Sequence, residues 1–469
     1  MKNIDLLFIT RHADVCDEYL TDVAFDRISE ILSEKDYSVL TEVIKTPLTD
    51  ADNIIERQKI FQDLTTYPGL AENLIFICNN AQKNKLPFYG IHSSVPLNEK
   101  FKEYLKMINH TLNIPAELLS AMREKDFNST ALNDLHKQLK KINEINILKA
   151  RLNTLADTLM GNNIALQIVY SDTFKLKRAD VYSGGHIKAI RTKKGIFRKN
   201  QESQSYPYEY GYDFIAALQT DEMINSGVNK FCSAISQLNS YILSTCQKLS
   251  NHLTFYTAGI KLINFIKNTG AQIVYPKFSD ARRSITTAKI YDAGLVIQRK
   301  SISNIIPNDF KGDENCFYLI SGVNQGGKTT FLKSIGTAQL LAQNGFPVPA
   351  EEYVCPVFNS FITHFPRDED ENLNYGKLAE ELSRFRRYVP RMADKALILM
   401  NESFATTTER EGAEIAADTL RALSIVKPYL FFVTHNITLD LMRNQNERSK
   451  LQIPAMRLNL MPKRFLLPR

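Results

Sequence analysis

A chain of 469 residues with 58 Lys and Arg against 51 Asp and Glu carries a net charge of +7 and 44% hydrophobic residues. This length accommodates two or three domains with sizeable cores, and 23% charged with 10% aromatic residues excludes wholesale disorder. So small a surplus of positive charge implies an anionic partner only weakly, and its placement along the chain carries more information than its sum.

The N-terminal stretch "MKNIDLLFITRHADVC" has too short an apolar run for a secretion signal, and no segment reaches the ~18 apolar residues of a membrane span. The expectation is a cytoplasmic protein with no membrane partner. Six cysteines (Cys16, Cys78, Cys232, Cys246, Cys316, Cys355) stand far apart without Cys-x-x-Cys spacing, which predicts buried reduced thiols rather than a zinc site or a disulfide framework.

The first half is helical by pattern. Leu132, Leu135, Leu139, Ile142, Leu148, Leu152, Leu155 and Leu159 keep mostly three-and-four spacing and predict a long amphipathic helix. A second runs from about Val228 to Phe255, with Phe231, Ile235, Leu238, Ile242, Cys246, Leu249 and Leu253 on one stripe. Two such helices suggest a lever or coiled arm. The segment between them alternates and holds a Gly184-Gly185 turn, as β-hairpins do. Its span from Lys175 to Lys199 places nine basic residues against the single acid Asp180. Two readings stand for it: a solvated hairpin face, or a surface for phosphate backbones at the tip of a helical arm. After Tyr275-Pro276 strands alternate with helices, implying an α/β domain with a mostly parallel sheet. The predicted organisation is an all-α core or lever domain over 1–273 with a small β-rich basic insertion at 161–213, followed by a P-loop domain over 274–469.

That last domain holds "LISGVNQGGKTTFLKSIG". Gly322, four residues, and Gly327-Lys328-Thr329 make the full Walker A spacing, so that Gly322, Asn324, Gly326, Gly327, Lys328, Thr329 and Thr330 are the candidate residues for holding nucleotide phosphates. Glycines let backbone amides turn inward around phosphate oxygens, Lys328 neutralises the β- and γ-phosphates, and the Thr329 hydroxyl can ligate Mg²⁺. The strand Phe317–Ile320 is predicted to lead in, and a helix from Lys328 to about Asn344 to lead out. An ATP-hydrolysing site of this kind also needs an acid near Mg²⁺ and a base for the attacking water at a neighbouring strand end. "LILMNESFATTTEREG" supplies the strand, Glu402 as the base, and Asn401 at the metal side, where an amide can bond a Mg²⁺-bound water but brings no charge. His435, directly after the apolar strand Tyr429–Thr434, suits a sensor of the γ-phosphate. With Lys328, Thr329, Glu402 and His435 all present, the pattern predicts slow ATP hydrolysis rather than a dead site.

Together these residues resemble the MutS family of DNA mismatch-repair ATPases. "SGVNQGGKTTFLKSIG" is similar to the family's phosphate loop, with Val323 where proline is usual, and "LLAQNGFPVPAEE" to the stretch that follows it. "NESFATTTEREG" and "FVTHN" fall in register with the family's acidic and histidine motifs. "TPLTDADNIIERQKIFQDL" is similar to the start of the core domain, and "LTFYTAGIKLINFIKNTGAQIVYPKF" to the end of the lever. The resemblance implies an ABC-like ATPase domain and a homodimer formed through it, with ATP and Mg²⁺ as cofactors and DNA as partner. It also implies that Ile305 stands where an adenine-stacking aromatic is common, that Gly376 lies near the serine reaching across to the partner's ATP, and that Arg191, Lys193, Lys194, Arg198 and Lys199 occupy a shortened DNA clamp. The chain begins almost at the core domain, so mismatch reading itself is not expected of it. The alternative is a nucleotide-gated protein scaffold that binds ATP but not DNA. An ABC-type transporter subunit is disfavoured by the missing Leu-Ser-Gly-Gly-Gln motif.

Overall fold

The computed structural model describes residues 4–83, 97–140, 146–154, 164–170, 176–183, 214–279, 284–312, 316–322, 326–367 and 376–435. The first elements in chain order are β1 (Asp14–Val15), α1 (Tyr19–Asp22), α2 (Glu34–Ile44), α3 (Ala51–Thr66), α4 (Leu70–Lys83), α5 (Leu97–Thr111), α6 (Ile114–Ala121), α7 (Thr130–Lys140) and α8 (146–154). A hairpin of β2 (Ile164–Tyr170) and β3 (Leu176–Ser183) precedes α9 (Phe214–Asn268). There follow β4 (Lys277–Phe278), β5 (Thr286–Ile290), α10 (Ala293–Arg299), β6 (Asn308–Lys311), β7 (Phe317–Ile320), α11 (Lys328–Gln343) and β8 (Glu352–Cys355). The last are β9 (Ser360–His364), α12 (Lys377–Tyr388), β10 (Ala396–Asn401), α13 (Glu409–Val426) and β11 (Tyr429–Val433).

Contacts divide the chain into two compact units. One gathers Asn73–Lys125 with Asp134–Ser250, and among its described residues the regular elements are helices and the antiparallel pair β2–β3. Within it Ile235, Ile242, Cys246 and Leu249 of the stripe read from the sequence are buried, Phe231 and Leu238 are half-buried, and Cys232, outside that stripe, is buried; Phe231 meets the Phe101 ring of α5 at 5.0 Å. The helix extends beyond the predicted Val228–Phe255 at both ends. On the C-terminal side Tyr256, Ala258, Leu262, Ile263 and Ile266 are buried; a helix covered on several faces loses the one-sided stripe by which a helix is recognised. The other predicted helix is found as α7 and α8, with 141–145 and 155–163 outside the described residues.

The other unit contains Asp5–Glu72, the short stretch Asp126–Asn133, and the chain from Asn251 onward. Its centre is a five-stranded sheet in the order β1-β9-β10-β11-β7, with every neighbouring pair parallel. All residues of β7, β9, β10 and β11 are buried, as required of strands covered on both faces. A second sheet, β4-β8-β5-β6, pairs β4 with β8 in parallel and sets β5 antiparallel to both β8 and β6. These contacts do not follow a division at 273/274, because the N-terminal segment supplies β1 as the edge strand of the parallel sheet. Asp14 N donates to Asn359 O at 2.9 Å and Cys16 N to Phe361 O at 3.0 Å. A two-residue strand is too short to produce alternation, so the sequence pattern could not announce it.

The helix α11 lies close against β10. A Cβ on Gly336 would stand 2.7 Å from Leu399 Cδ1 and 2.7 Å from Val23 Cγ1, so only glycine permits this approach. An aromatic cluster of Phe310, Tyr318, Phe331 and Phe431, with ring centroids 5.0–6.0 Å apart, fixes the same helix to β7 and β11. Each such ring stabilises the fold by about 1.5–3 kcal/mol through burial. All six cysteines are buried, and none is joined to another in a disulfide. Among the described residues no helix is long and apolar enough to cross a membrane.

Candidate nucleotide site

β7 delivers the chain to the edge of the parallel sheet, and the backbone then turns at Gly322 (φ 154°) and Gly327 (φ 84°). Gly327 is the N-cap of α11, in the left-handed region that disfavours any residue with a Cβ. At both glycines a Cβ would meet nothing within 4 Å among the described residues. The N-terminus of α11 is where the first amides of a helix lack intrahelical partners and an anion is favoured. Gly326 is half-buried; Asn324, with 323–325, lies outside the described residues.

Lys328 opens α11 with only 6% exposure. Its Nζ donates to Gly322 O at 2.9 Å, which turns the ammonium back over the loop. Burial lowers its pKa from the usual lysine value, and the charge of Glu402 opposes that shift. Thr329 and Thr330 follow in the first turn, and Thr329 Oγ1 donates to Asn401 Oδ1 at 2.9 Å across the gap from α11 to the end of β10. The proton points at the amide, leaving the hydroxyl's lone pairs for another partner.

Past Asn401 the chain is strained. Glu402 has φ +47° and Phe404 φ +64°, a region that costs a non-glycine residue about 1–2 kcal/mol. Glu402 N donates to Val433 O at 2.8 Å, which holds the strand end while the side chain turns to His435. There Glu402 Oε1 lies 2.9 Å from His435 Nε2, and Oε2 accepts from the backbone N–H of His435 at 3.1 Å. His435 Nδ1 lies 3.3 Å from Lys328 Nζ. An ammonium can only donate, so Nδ1 accepts and the neutral Nε2–H tautomer donates to Glu402; a single assignment satisfies both contacts.

Five residues proposed from the sequence thus fall into two bonded groups, Lys328–His435–Glu402 and Thr329–Asn401, whose members are adjacent in the chain at Lys328-Thr329 and Asn401-Glu402 although up to 107 positions separate bonded partners. Others stand apart. Ile305 is 7% exposed whereas Ile306 is 56% exposed, so Ile306 is the one presenting an open apolar side chain. Gly376 is exposed at the N-cap of α12, with nothing within 4 Å of a Cβ. Arg191, Lys193, Lys194, Arg198 and Lys199 lie outside the described residues.

Sequence reasoning missed the support behind the site. His364, at the end of β9, is 1% exposed; its Nδ1 lies 2.7 Å from Ser403 Oγ, and Ser403 Oγ donates to His364 O at 3.0 Å. Burial, with the charge of Arg384 adding to it, pushes the His364 pKa down to about 3, so the ring is neutral. Glu381 of α12 bonds to the loop after Glu402. A lone histidine and an acid inside a charged helix give no sequence signal for such roles.

A phosphate-type loop between β7 and α11, with an acid at the end of the next strand but one, defines a P-loop α/β domain. MutS domain V matches residues 318–464 and the MutS2 N-terminal domain matches residues 49–269, and the chain belongs to the MutS family. It is 31% identical over 140 residues to the human MutS protein homolog 4, covering 30% of this chain and 15% of that protein. Against Endonuclease MutS2 of Lacticaseibacillus casei it is 28% identical over 199 residues, 40% of this chain and 25% of the relative. Against the DNA mismatch repair protein MutS of Thermus aquaticus it is 30% identical over 140 residues, 30% and 17% of the two chains. The matched region spans a quarter or less of the length of these relatives.

Proposed function

We propose that this chain binds ATP with Mg²⁺ in the loop Gly322–Thr329, hydrolyses it slowly, and uses the nucleotide to gate an ABC-like dimer of ATPase domains that clamps duplex or irregular DNA. The observation that carries the reading is the pair of bonded groups Lys328–His435–Glu402 and Thr329–Asn401, set where α11 begins and where β10 and β11 end. The residues suit the ligand: among the described residues nothing stands within 4 Å of a Cβ at Gly322 or Gly327, a buried ammonium is bonded to Gly322 O, and a threonine hydroxyl that gives its proton to Asn401 keeps lone pairs for a cation.

When bound, Mg²⁺ neutralises phosphate oxygens and polarises the phosphorus they surround. Everything else falls to the chain. The amides of α11 and the Lys328 ammonium bind phosphate oxygens, Thr329 supplies a ligand oxygen oriented by Asn401, and Glu402 offers the carboxylate that accepts a proton from the attacking water. His435, donating through Nε2, holds that carboxylate in place. Asn401 brings no charge to the metal side, and loss of such an outer carboxylate slows or weakens a metal site on the order of 10–100-fold. Slow turnover suits a switch, since the bound state persists.

Support for the dimer and for DNA comes from the family, whose members here carry the names DNA mismatch repair protein and Endonuclease. Gly376 is proposed as the contact to the partner's ATP, and Arg191, Lys193, Lys194, Arg198 and Lys199 as contacts to DNA phosphates; reading of mismatches is not part of the proposal. Glu402→Gln keeps the shape of the side chain but cannot take the proton, so ATP should bind and remain. Light scattering of this variant with ATP, with ADP and without nucleotide should give a dimer in ATP alone. One mass in all three conditions would overturn ATP gating.

A further inference from the structure

The loop that follows Glu402 is held from α12. Glu381 is 7% exposed; its Oε1 accepts from Phe404 N at 2.7 Å and its Oε2 from Thr406 Oγ1 at 2.7 Å. Both carboxylate oxygens therefore grip the segment between β10 and α13. The segment needs holding, since Glu402 and Phe404 are both in the left-handed region and would relax toward ordinary backbone if released. Phe404 is itself clasped, with its ring centroid 5.6 Å from His364 and 5.6 Å from Phe385 of α12. Beyond Thr406 the loop is fastened by another acid: Thr407 Oγ1 donates to Glu411, and Thr408, the N-cap of α13, accepts from Glu411 N at 3.4 Å.

Among the described residues, the backbone tether of Glu402 itself is the bond from its N–H to Val433 O. On its C-terminal side, among the described residues, the loop is held through Ser403, Phe404 and Thr406, whose contacts converge on His364 and Glu381. We infer that Glu381 is a positioning residue for hydrolysis: by bonding Phe404 N and Thr406 Oγ1 it keeps the strained loop in the one conformation that aims the Glu402 carboxylate at its water. This rests on the assignment of Glu402 under the proposed function. Glu381 touches no reacting atom, so its effect belongs to turnover and not to nucleotide affinity, which the loop Gly322–Thr329 governs. Misplacement of a catalytic group by about 1 Å costs on the order of a hundredfold.

The test is a set of three variants of the full chain with two readouts. The first readout is ATP turnover beside the dissociation constant of a non-hydrolysable ATP analogue. Glu381→Ala should lower turnover by tenfold or more, on the order expected of a displaced group, with affinity kept within about threefold. Glu381→Gln retains an oxygen for Phe404 N and a polar partner for Thr406, and should restore turnover to within about threefold of the parent. Thr406→Val removes one bond without changing shape and should lower turnover about threefold, roughly the loss of a single hydrogen bond; it carries the test if Glu381→Ala does not fold. Parental turnover in Thr406→Val, parental turnover in a folded Glu381→Ala, or failure of Glu381→Gln to rescue would each overturn the inference. The second readout is hydrogen exchange over Met400–Thr408, which should quicken in Glu381→Ala and not in Glu381→Gln. If the parent binds ATP without hydrolysing it, the proposed function fails on that point, and the exchange comparison still decides whether Glu381 holds the loop: unchanged exchange in Glu381→Ala would refute it.

Discussion

Asn401→Asp returns a charge to the metal side of the site, and the geometry permits a magnitude. Thr329 Oγ1 already gives its proton to Asn401 Oδ1 across 2.9 Å, so an aspartate oxygen can take the same proton without movement of α11 or β10. A hydrogen bond to an ionised acceptor is worth about 1.5–3 kcal/mol against 0.5–1.5 for a neutral one. An outer-sphere carboxylate changes metal affinity or activity on the order of 10–100-fold, which is about 1.4–2.7 kcal/mol. Against this stands the cost of a second carboxylate beside Glu402 at a position only 7% exposed, about 1–3 kcal/mol of stability when no cation is present. The variant should therefore melt lower than the parent alone and recover in Mg²⁺ with ATP. Steady-state hydrolysis followed across a Mg²⁺ titration should show a half-saturating concentration about tenfold lower and a higher maximal rate. An equal or higher Mg²⁺ requirement in a folded variant would refute the view that Asn401 slows the site by lacking charge.

Reversing charge at Arg191, Lys193, Lys194, Arg198 and Lys199 should weaken duplex binding and leave basal turnover unchanged, each lost phosphate contact flattening the log–log salt dependence by about one unit. Parental affinity for duplex would favour a scaffold that binds ATP and no DNA. His364 contributes a pH dependence of defined sign. Its folded pKa, about 3, lies below the ordinary 6.5, so between those values the unfolded chain binds the extra proton; the stability is fully present above pH 6.5 and drains away as pH falls toward 3. By pH 5 the loss is about 2 kcal/mol. Denaturant unfolding at pH 7 and pH 5 should show that loss in the parent and much less of it in His364→Gln; an equal pH effect in both would remove His364 as its source.

The site was more legible in the sequence than the units that carry it. β7, β10 and β11 are short apolar runs because both faces are covered, and the predicted strands agree with them to within a residue at each end. The helix after the phosphate loop was predicted to end near Asn344, and α11 ends at Gln343 with Asn344 as its C-cap. What the sequence hid depends on contacts between distant residues. Glu381 sits in "KLAEELSRFRRY", where an acid reads as solvated charge, and its partners lie 23 and 25 positions later. β1 is too brief to form a pattern, yet it closes one edge of the parallel sheet. The ends of α9 were obscured in part by burial on several faces.

The central claim is that Lys328 holds ATP and Glu402 turns it over. ATP binding and turnover measured together on the parent, Lys328→Ala and Glu402→Gln test it most directly. The account predicts slow hydrolysis by the parent, no detectable ATP binding by Lys328→Ala, and in Glu402→Gln an affinity near the parent's with turnover reduced on the order of a hundredfold or more. Unchanged ATP affinity in Lys328→Ala, or parental turnover in Glu402→Gln, would contradict it.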